Sequence, residues 1–134
     1  MPNNWNDAII TEFRANGGTA KAFAKQPILL LHTTGARSGA ERVNPLAYLK
    51  RDDTLFVFAT FNAQPVNPAW YHNLKAHPRV AIEVGTETFD AIATDLDRAE
   101  RDDVYAEQAA FNRGFAEYET QTTRIIPVIA LTRT

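Results

Sequence analysis

Apolar residues in this chain gather in short runs between turn-forming residues, and the runs are of two kinds. In the first kind they are continuous or alternate, which is the spacing of strands. Residues 27–34 (PILLLHTT), 42–51 (RVNPLAYLKR), 54–60 (TLFVFAT), 79–85 (RVAIEVG), 87–96 (ETFDAIATDL) and 124–132 (RIIPVIALT) fit that description. In the second kind they recur every three or four positions, as on a helix face. Trp5, Ile9 and Phe13 form such a stripe, which Asn3 or Asn4 can cap and Asn16-Gly17-Gly18 ends. The stripe either packs on the domain or meets a membrane; Asp7 and Glu12 on its flank favour packing.

Three more helices are predicted. Over 67–78, Asn67 can cap, Pro68 suits the first helical position and Pro78 stops the helix. Residues 97–112 begin acidic and pair Arg98 with Asp102, and 115–122 follow as a shorter helix. Asp52-Asp53 and Gly85 make tight turns between neighbouring strands, while Pro127 argues for an edge position or a bulge. Six strands, mostly in hairpin order, predict a mainly β fold: a six-stranded antiparallel barrel decorated by helices. One domain over 1–134 is expected, with 1–26 as an N-terminal helical segment.

Composition narrows the function classes. A chain of 134 residues that is 45% hydrophobic holds material for one core. Fourteen basic against sixteen acidic side chains leave a net charge of −2, so no basic field attracts nucleic acid. The absence of cysteine removes disulfides, Fe–S clusters, thiolate zinc sites and cysteine nucleophiles. No run approaches the roughly 18 apolar residues of a membrane-spanning helix, and the first residues lack a signal-peptide pattern. No integral membrane span and a cytoplasmic location are expected.

Candidate chemistry begins at residues 32–45, HTTGARSGAERVNP. Arg37 and Arg42 flank a Ser-Gly pair, and one nearby carboxylate, Glu41, cannot neutralise two guanidiniums. Thr33, Thr34 and Ser38 offer hydroxyls, and Gly35 and Gly39 free backbone amides, so the turn is either an anion-binding concavity or a solvated hairpin. It is not a P-loop, since no Gly-Lys-Ser/Thr opens a helix. On the 67–78 helix, Trp70 and Leu74 share a face beside Tyr71 and Lys75; that face is either core or a seat for a flat heterocycle at the helix N-terminus.

Other chemistries fail. His32, His72 and His77 lack metal-ligand spacing, Ser38 lacks a G-x-S-x-G elbow, and the Asp52-Asp53 and Asp102-Asp103 pairs fit solvated positions. No nucleophile or general base stands out, which suits hydride transfer, where the cofactor carries the chemistry.

Three stretches, LLLHTTGARSGAERVNPLAYL, NPAWYHNLKAHPRVAIEVGTETFDA and TTRIIPVIAL, occur in matching order and spacing. From about residue 28 to the C-terminus they resemble the deazaflavin-dependent nitroreductase family, the coenzyme F420-dependent branch of the split-barrel flavin and deazaflavin oxidoreductases. The resemblance implies a six-stranded split β-barrel binding coenzyme F420, an 8-hydroxy-5-deazaflavin hydride carrier with a phosphate and an oligoglutamate tail. It also implies a small-molecule electron acceptor: a quinone, an activated enone or lactone, or a nitro compound.

The same resemblance assigns residues. Ala36, Arg37 and Ser38 would face the phosphate or acidic tail, with Arg42 as second cation. Val43, Asn44, Pro45 and Leu46 would pass beside the deazaflavin, with Ala47 where some members carry tyrosine. Phe58, Ala59, Thr60 and Phe61 would form the third strand's end and its loop. Ala69, Trp70, Tyr71 and Asn73 would pack near the ring and tail, and Tyr118 would be the catalytic residue on the substrate side, beside Phe115 and Gln121. Family loops often read Ser-Lys-Gly-Gly where this chain has Thr60-Phe61-Asn62-Ala63. An FMN-dependent reductase of the same fold and a non-catalytic deazaflavin carrier are the alternatives, and monomer or homodimer is left open.

Overall fold

The computed structural model describes residues 4–21 and 26–134, apart from the side chains of Asn4, Trp5 and Asn62. The expected Asn3 cap, the Asn4 side chain and the Trp5 end of the apolar stripe therefore lie outside the described residues. The elements are α1 (Asn4–Ala15), β1 (Ile28–Thr34), β2 (Glu41–Arg51), β3 (Thr54–Phe58), α2 (Ala69–Ala76), β4 (Arg79–Val84), β5 (Glu87–Asp95), α3 (Arg98–Phe111), α4 (Arg113–Gln121) and β6 (Val128–Arg133). A 3-10 turn at Phe61–Ala63 lies between β3 and α2.

The strands close into a barrel in the order β1-β2-β3-β6-β5-β4. Every adjacent pair is antiparallel. Continuous apolar runs arise because several strands are covered on both faces. Leu29 and Leu31 of β1, Leu55 and Val57 of β3, and Ile129 and Leu131 of β6 fill the interior. The alternate residues point outward into two helical covers. Ile28 and Leu30 pack under Ile9 and Phe13 of α1, so the described part of that stripe is domain core. Phe56, Phe58, Val128 and Ala130 pack under Val104 and Tyr105 of α3 and Phe115 of α4. Each of the buried Val, Leu, Ile and Phe side chains contributes about 1.5–3 kcal/mol by leaving water.

Local chemistry fixes the junctions. Asp97 caps α3 by accepting the Glu100 N–H at 2.9 Å, and Asn112 caps α4 by accepting the Gly114 N–H at 3.0 Å. α1 ends with the Gly18 N–H on the Phe13 carbonyl at 2.8 Å. Gly18 has φ +107, and a Cβ there would stand 2.6 Å from the Gly85 Cα, so the helix terminus abuts the β4–β5 turn. Arg14 adds a fork onto Glu83 of β4, at 3.0 and 2.6 Å.

Two expectations are corrected. β6 starts at Val128, and residues 124–127 lie outside the ladder. Proline has no N–H to give a ladder, and Pro127 instead accepts the Ala59 N–H on its carbonyl at 3.0 Å. The barrel is closed, so there is no edge for it to occupy. At α2, Pro68 rather than Asn67 takes the N-cap position and makes no side-chain cap bond. The Asn67 carboxamide is engaged elsewhere, accepting from Arg124 at 2.9 Å.

Candidate active site

The β1–β2 turn is shaped by its own small residues. Gly35 donates to the Ala40 carbonyl at 2.8 Å, and Gly39 donates to the Gly35 carbonyl at 3.0 Å. A Cβ on Gly35 would lie 2.5 Å from Ser38 Oγ and 3.2 Å from the Ala40 carbonyl, so a larger residue there would displace the serine hydroxyl. Ser38 Oγ accepts the Ala40 N–H at 3.1 Å, which leaves its proton free to donate outward. Asn73 of α2 reaches the turn from below: Oδ1 accepts the Ala36 N–H at 3.0 Å, and Nδ2 donates to Thr33 Oγ1 at 3.2 Å. The amide is 7% exposed and spent on these bonds.

Above this anchor opens a cleft of about 1000 Å³, lined from five parts of the chain: Asn6 of α1, Gly35 to Ser38, Arg42 and Asn44 of β2, Phe61, and Pro68 to Asn73 apart from Tyr71. Its charged side chains are two arginines and no carboxylate. Glu41 turns away to His32 Nδ1 at 3.3 Å. Among the described residues, the Arg37 and Arg42 guanidiniums have no acidic partner, and both residues are exposed. The uncapped start of α2 adds the partial positive charge of a helix N-terminus to the same space. Trp70, 6% exposed, plugs the barrel interior with Leu74 and also borders the cleft, so it is both core and cleft wall.

Strand periodicity sorts the remaining residues named from the sequence. Arg42 and Asn44 border the cleft, while Leu46 of the same face packs on the barrel interior. Val43 lies on the opposite face under α1, Ala47 packs with the α3 and α4 cluster, and Pro45 is buried. Phe58 stacks edge-on with Tyr105 and Phe115 at 5.9 and 5.2 Å, beneath α3 and α4. Ala59 is fully buried, and the Thr60 carbonyl accepts from Arg124. Tyr71 faces β5, where its hydroxyl donates to Asp95 at 2.5 Å; burial, then that carboxylate, holds its pKa up at about 12. Tyr118 lies against Phe115 at 5.8 Å on α4, a helix that touches the 3-10 turn of Phe61.

Gly35, whose amide the sequence offered to an anion, borders the cleft, and so do Pro68, His72 and Asn6, which were not singled out as binding residues. Pro68 and His72 follow from Trp70, being its neighbours on the first turn of α2. Nothing local announces Asn6, whose place depends on where α1 docks.

The structure thus sets a carboxylate-free cationic cleft beside an indole at the rim of a closed six-stranded barrel. The profile of the F420H(2)-dependent quinone reductases matches residues 7–133. The chain belongs to that family, enzymes whose reductant is the reduced deazaflavin coenzyme F420. It is 41% identical over 112 residues to the F420H(2)-dependent quinone reductase Rv1261c of Mycobacterium tuberculosis (strain ATCC 25618 / H37Rv), covering 80% of this chain and 74% of that one. Among solved structures, the F420-H2 dependent reductase FDR-A superposes with a TM-score of 0.71 at 35% identity, over 78% of this chain and 93% of that one. A chain described as a domain-swapped dimer superposes with a TM-score of 0.73 at 32% identity, over 93% and 92%.

The donor set fits the coenzyme. Two forked cations, a serine hydroxyl and a helix start suit phosphate and carboxylate oxygens, and the indole edge suits an aromatic ring. The volume lies at the upper end of the roughly 300–1,000 Å³ usual for small-molecule sites.

Proposed function

We propose that this enzyme reduces quinones, together with other electron-poor acceptors such as activated enones, lactones and nitro compounds, in the cleft bounded by Arg37, Arg42 and Trp70. The observation that carries the reading is the pair of arginines without carboxylate partners on a cleft that contains no acidic side chain. Their missing counter-charge is the phosphate and acidic tail of the coenzyme. Residues 1–134 act as one coenzyme-binding domain, in the cytoplasm.

When bound, the reduced coenzyme supplies a hydride; the chain supplies position and surroundings. Arg37, Arg42 and the Ser38 hydroxyl hold the anionic groups. Asn73 keeps their turn at a fixed height above α2. Ala69 and Trp70 wall the ring, and the α2 N-terminus favours electron density at its edge. Holding two reactants in register accounts for roughly 7–11 kcal/mol of a barrier, so orientation does most of the work. Tyr118 stands on the helix that touches the Phe61 turn, and among the described residues no group accepts from or donates to its hydroxyl. It orients the acceptor's oxygen or delivers a proton to it.

The test is a fluorescence titration of the purified protein with F420 and, separately, with FMN. Saturable quenching with F420 alone, followed by oxidation of F420H2 with menadione, is the expected result. Binding of FMN in preference to F420, or no association with either, overturns it. Parallel assays with a nitroaromatic and a coumarin define the acceptor range.

A further inference from the structure

Between β3 and α2 the chain leaves the barrel wall in an arc from Ala59 to Asn67. Two of its residues lie in the left-handed region, Phe61 with φ 46 and Ala63 with φ 59. Neither is glycine, and such backbone persists only where the surroundings impose it. The internal bonds are few: Ala63 N–H to the Thr60 carbonyl at 2.8 Å and Gln64 N–H to the Phe61 carbonyl at 3.0 Å.

The constraint comes from one side chain far along the sequence. Arg124 Nη2 donates to the Thr60 carbonyl at 2.7 Å, Nη1 to the Ala59 carbonyl at 3.0 Å and to Asn67 Oδ1 at 2.9 Å, and Nε to the Gln64 carbonyl at 2.8 Å. Its planar fork thus spans the arc from beginning to end, which a lysine's point charge cannot do. Arg14, Arg51, Arg79, Arg98, Arg101 and Arg133 all face carboxylates. Among the described residues Arg124 has no such partner and is committed to the arc. Its own backbone belongs to the 122–127 stretch, which Arg101 of α3 ties down by donating from Nε to the Ile126 carbonyl at 2.9 Å. The helical cover is thereby connected to the rim of the cleft, where Phe61 stands 47% exposed.

We propose that Arg124 is a positioning residue of the coenzyme cleft: by clamping residues 59–67 it holds Phe61 against the bound coenzyme and so sets coenzyme affinity without touching it. The inference rests on the coenzyme occupying this cleft. Arg124 is absent from the residues that border the cleft, so any effect on binding must pass through the arc.

The experiment compares wild type, Arg124→Lys, Phe61→Ala and the double variant in two measurements. One is F420 titration by fluorescence; the other is amide hydrogen exchange without coenzyme. Arg124→Lys should raise the coenzyme Kd about tenfold, since several charge-assisted bonds to the arc are lost. Exchange should quicken at Ala63 and Gln64 while barrel amides stay protected. In the Phe61→Ala background the lysine substitution should change Kd by less than about twofold, because the group it positions is gone. Additive effects, an unchanged Kd, or barrel amides that exchange as fast as the arc each overturn the proposal. A wild-type protein that binds no F420 refutes the proposed function itself; wild-type binding matched by Arg124→Lys refutes this inference alone.

Discussion

Asn73 Oδ1 accepts the Ala36 N–H at 3.0 Å while its Nδ2 donates to Thr33 Oγ1, so one buried amide joins α2 to the end of β1 and the start of the arginine-bearing turn. Trp70 and Arg37 approach the cleft from separate parts of the chain, and this amide fixes the distance between them. Replacing it by alanine removes the partner of the part-buried Ala36 N–H and of the buried Thr33 hydroxyl. Asn73→Ala should lose about 2–4 kcal/mol of stability and weaken coenzyme binding as well. Urea denaturation and F420 titration measure the two losses; normal affinity in a destabilised variant would mean the turn holds its shape unaided.

Arg37 and Arg42 are expected to behave in the opposite way. Neither has a protein partner among the described residues, so alanine at either position should leave the melting temperature unchanged. Coenzyme binding should weaken by about 1.5–3 kcal/mol per arginine, and the loss should shrink as salt is added. Calorimetric titration at two ionic strengths reads both effects, and undiminished affinity in Arg37→Ala removes that residue from the site.

Tyr118 separates chemistry from binding. Tyr118→Phe keeps the ring contact with Phe115 and removes a hydroxyl that no described residue uses. Turnover should fall by more than tenfold, with F420 affinity within about twofold of wild type, if the hydroxyl serves the acceptor. A variant that loses affinity while retaining kcat reassigns Tyr118 to the coenzyme.

Acid stability follows from Glu83. The hydrogen bond from Arg14, opposed by burial and supported by His32, lowers the Glu83 pKa from its ordinary 4.5. A depressed folded-state pKa gives stability that is present above 4.5 and is lost as the pH falls through the folded value. Unfolding free energy should therefore drop on acidification below pH 4.5, and Arg14→Ala should flatten that drop. Denaturation curves from neutral pH downward decide it; identical slopes would place the acid sensitivity elsewhere.

What the sequence made visible depended on range. The Arg37-Ser38 turn and the hairpin turns at Asp52-Asp53 and Gly85 are written within a few residues, and they were readable; the caps at Asp97 and Asn112 were not singled out, and Asn112 was placed inside the 97–112 helix rather than at the start of the next. The strands were readable as well, because a strand covered on both faces shows as a short continuous apolar run bounded by turn residues. The insertion of β6 between β3 and β5 is a non-local pairing that hairpin order does not announce. Alternation separates Arg42 and Asn44 from Val43, Pro45 and Ala47, which a motif match groups together. Arg124 was invisible for a physical reason. Three of its four acceptors are backbone carbonyls, which carry no residue signature, and the set lies 57–65 positions away. Asn73 was read as packing near the ring and tail; it does border the cleft, and its amide's bonds to Ala36 and Thr33 across the chain carry no local signature either.

The position of β6 has a consequence for biosynthesis. β3 and β5 are each complete by residue 95, yet neither pairs with the other; both wait for residues 128–133 to come between them. While a ribosome is still translating the intervening helices, the nascent polypeptide carries two unpaired strand margins and an unsealed apolar lumen. Chaperone protection should therefore matter most in that interval, and it should end once β6 emerges and completes the wall.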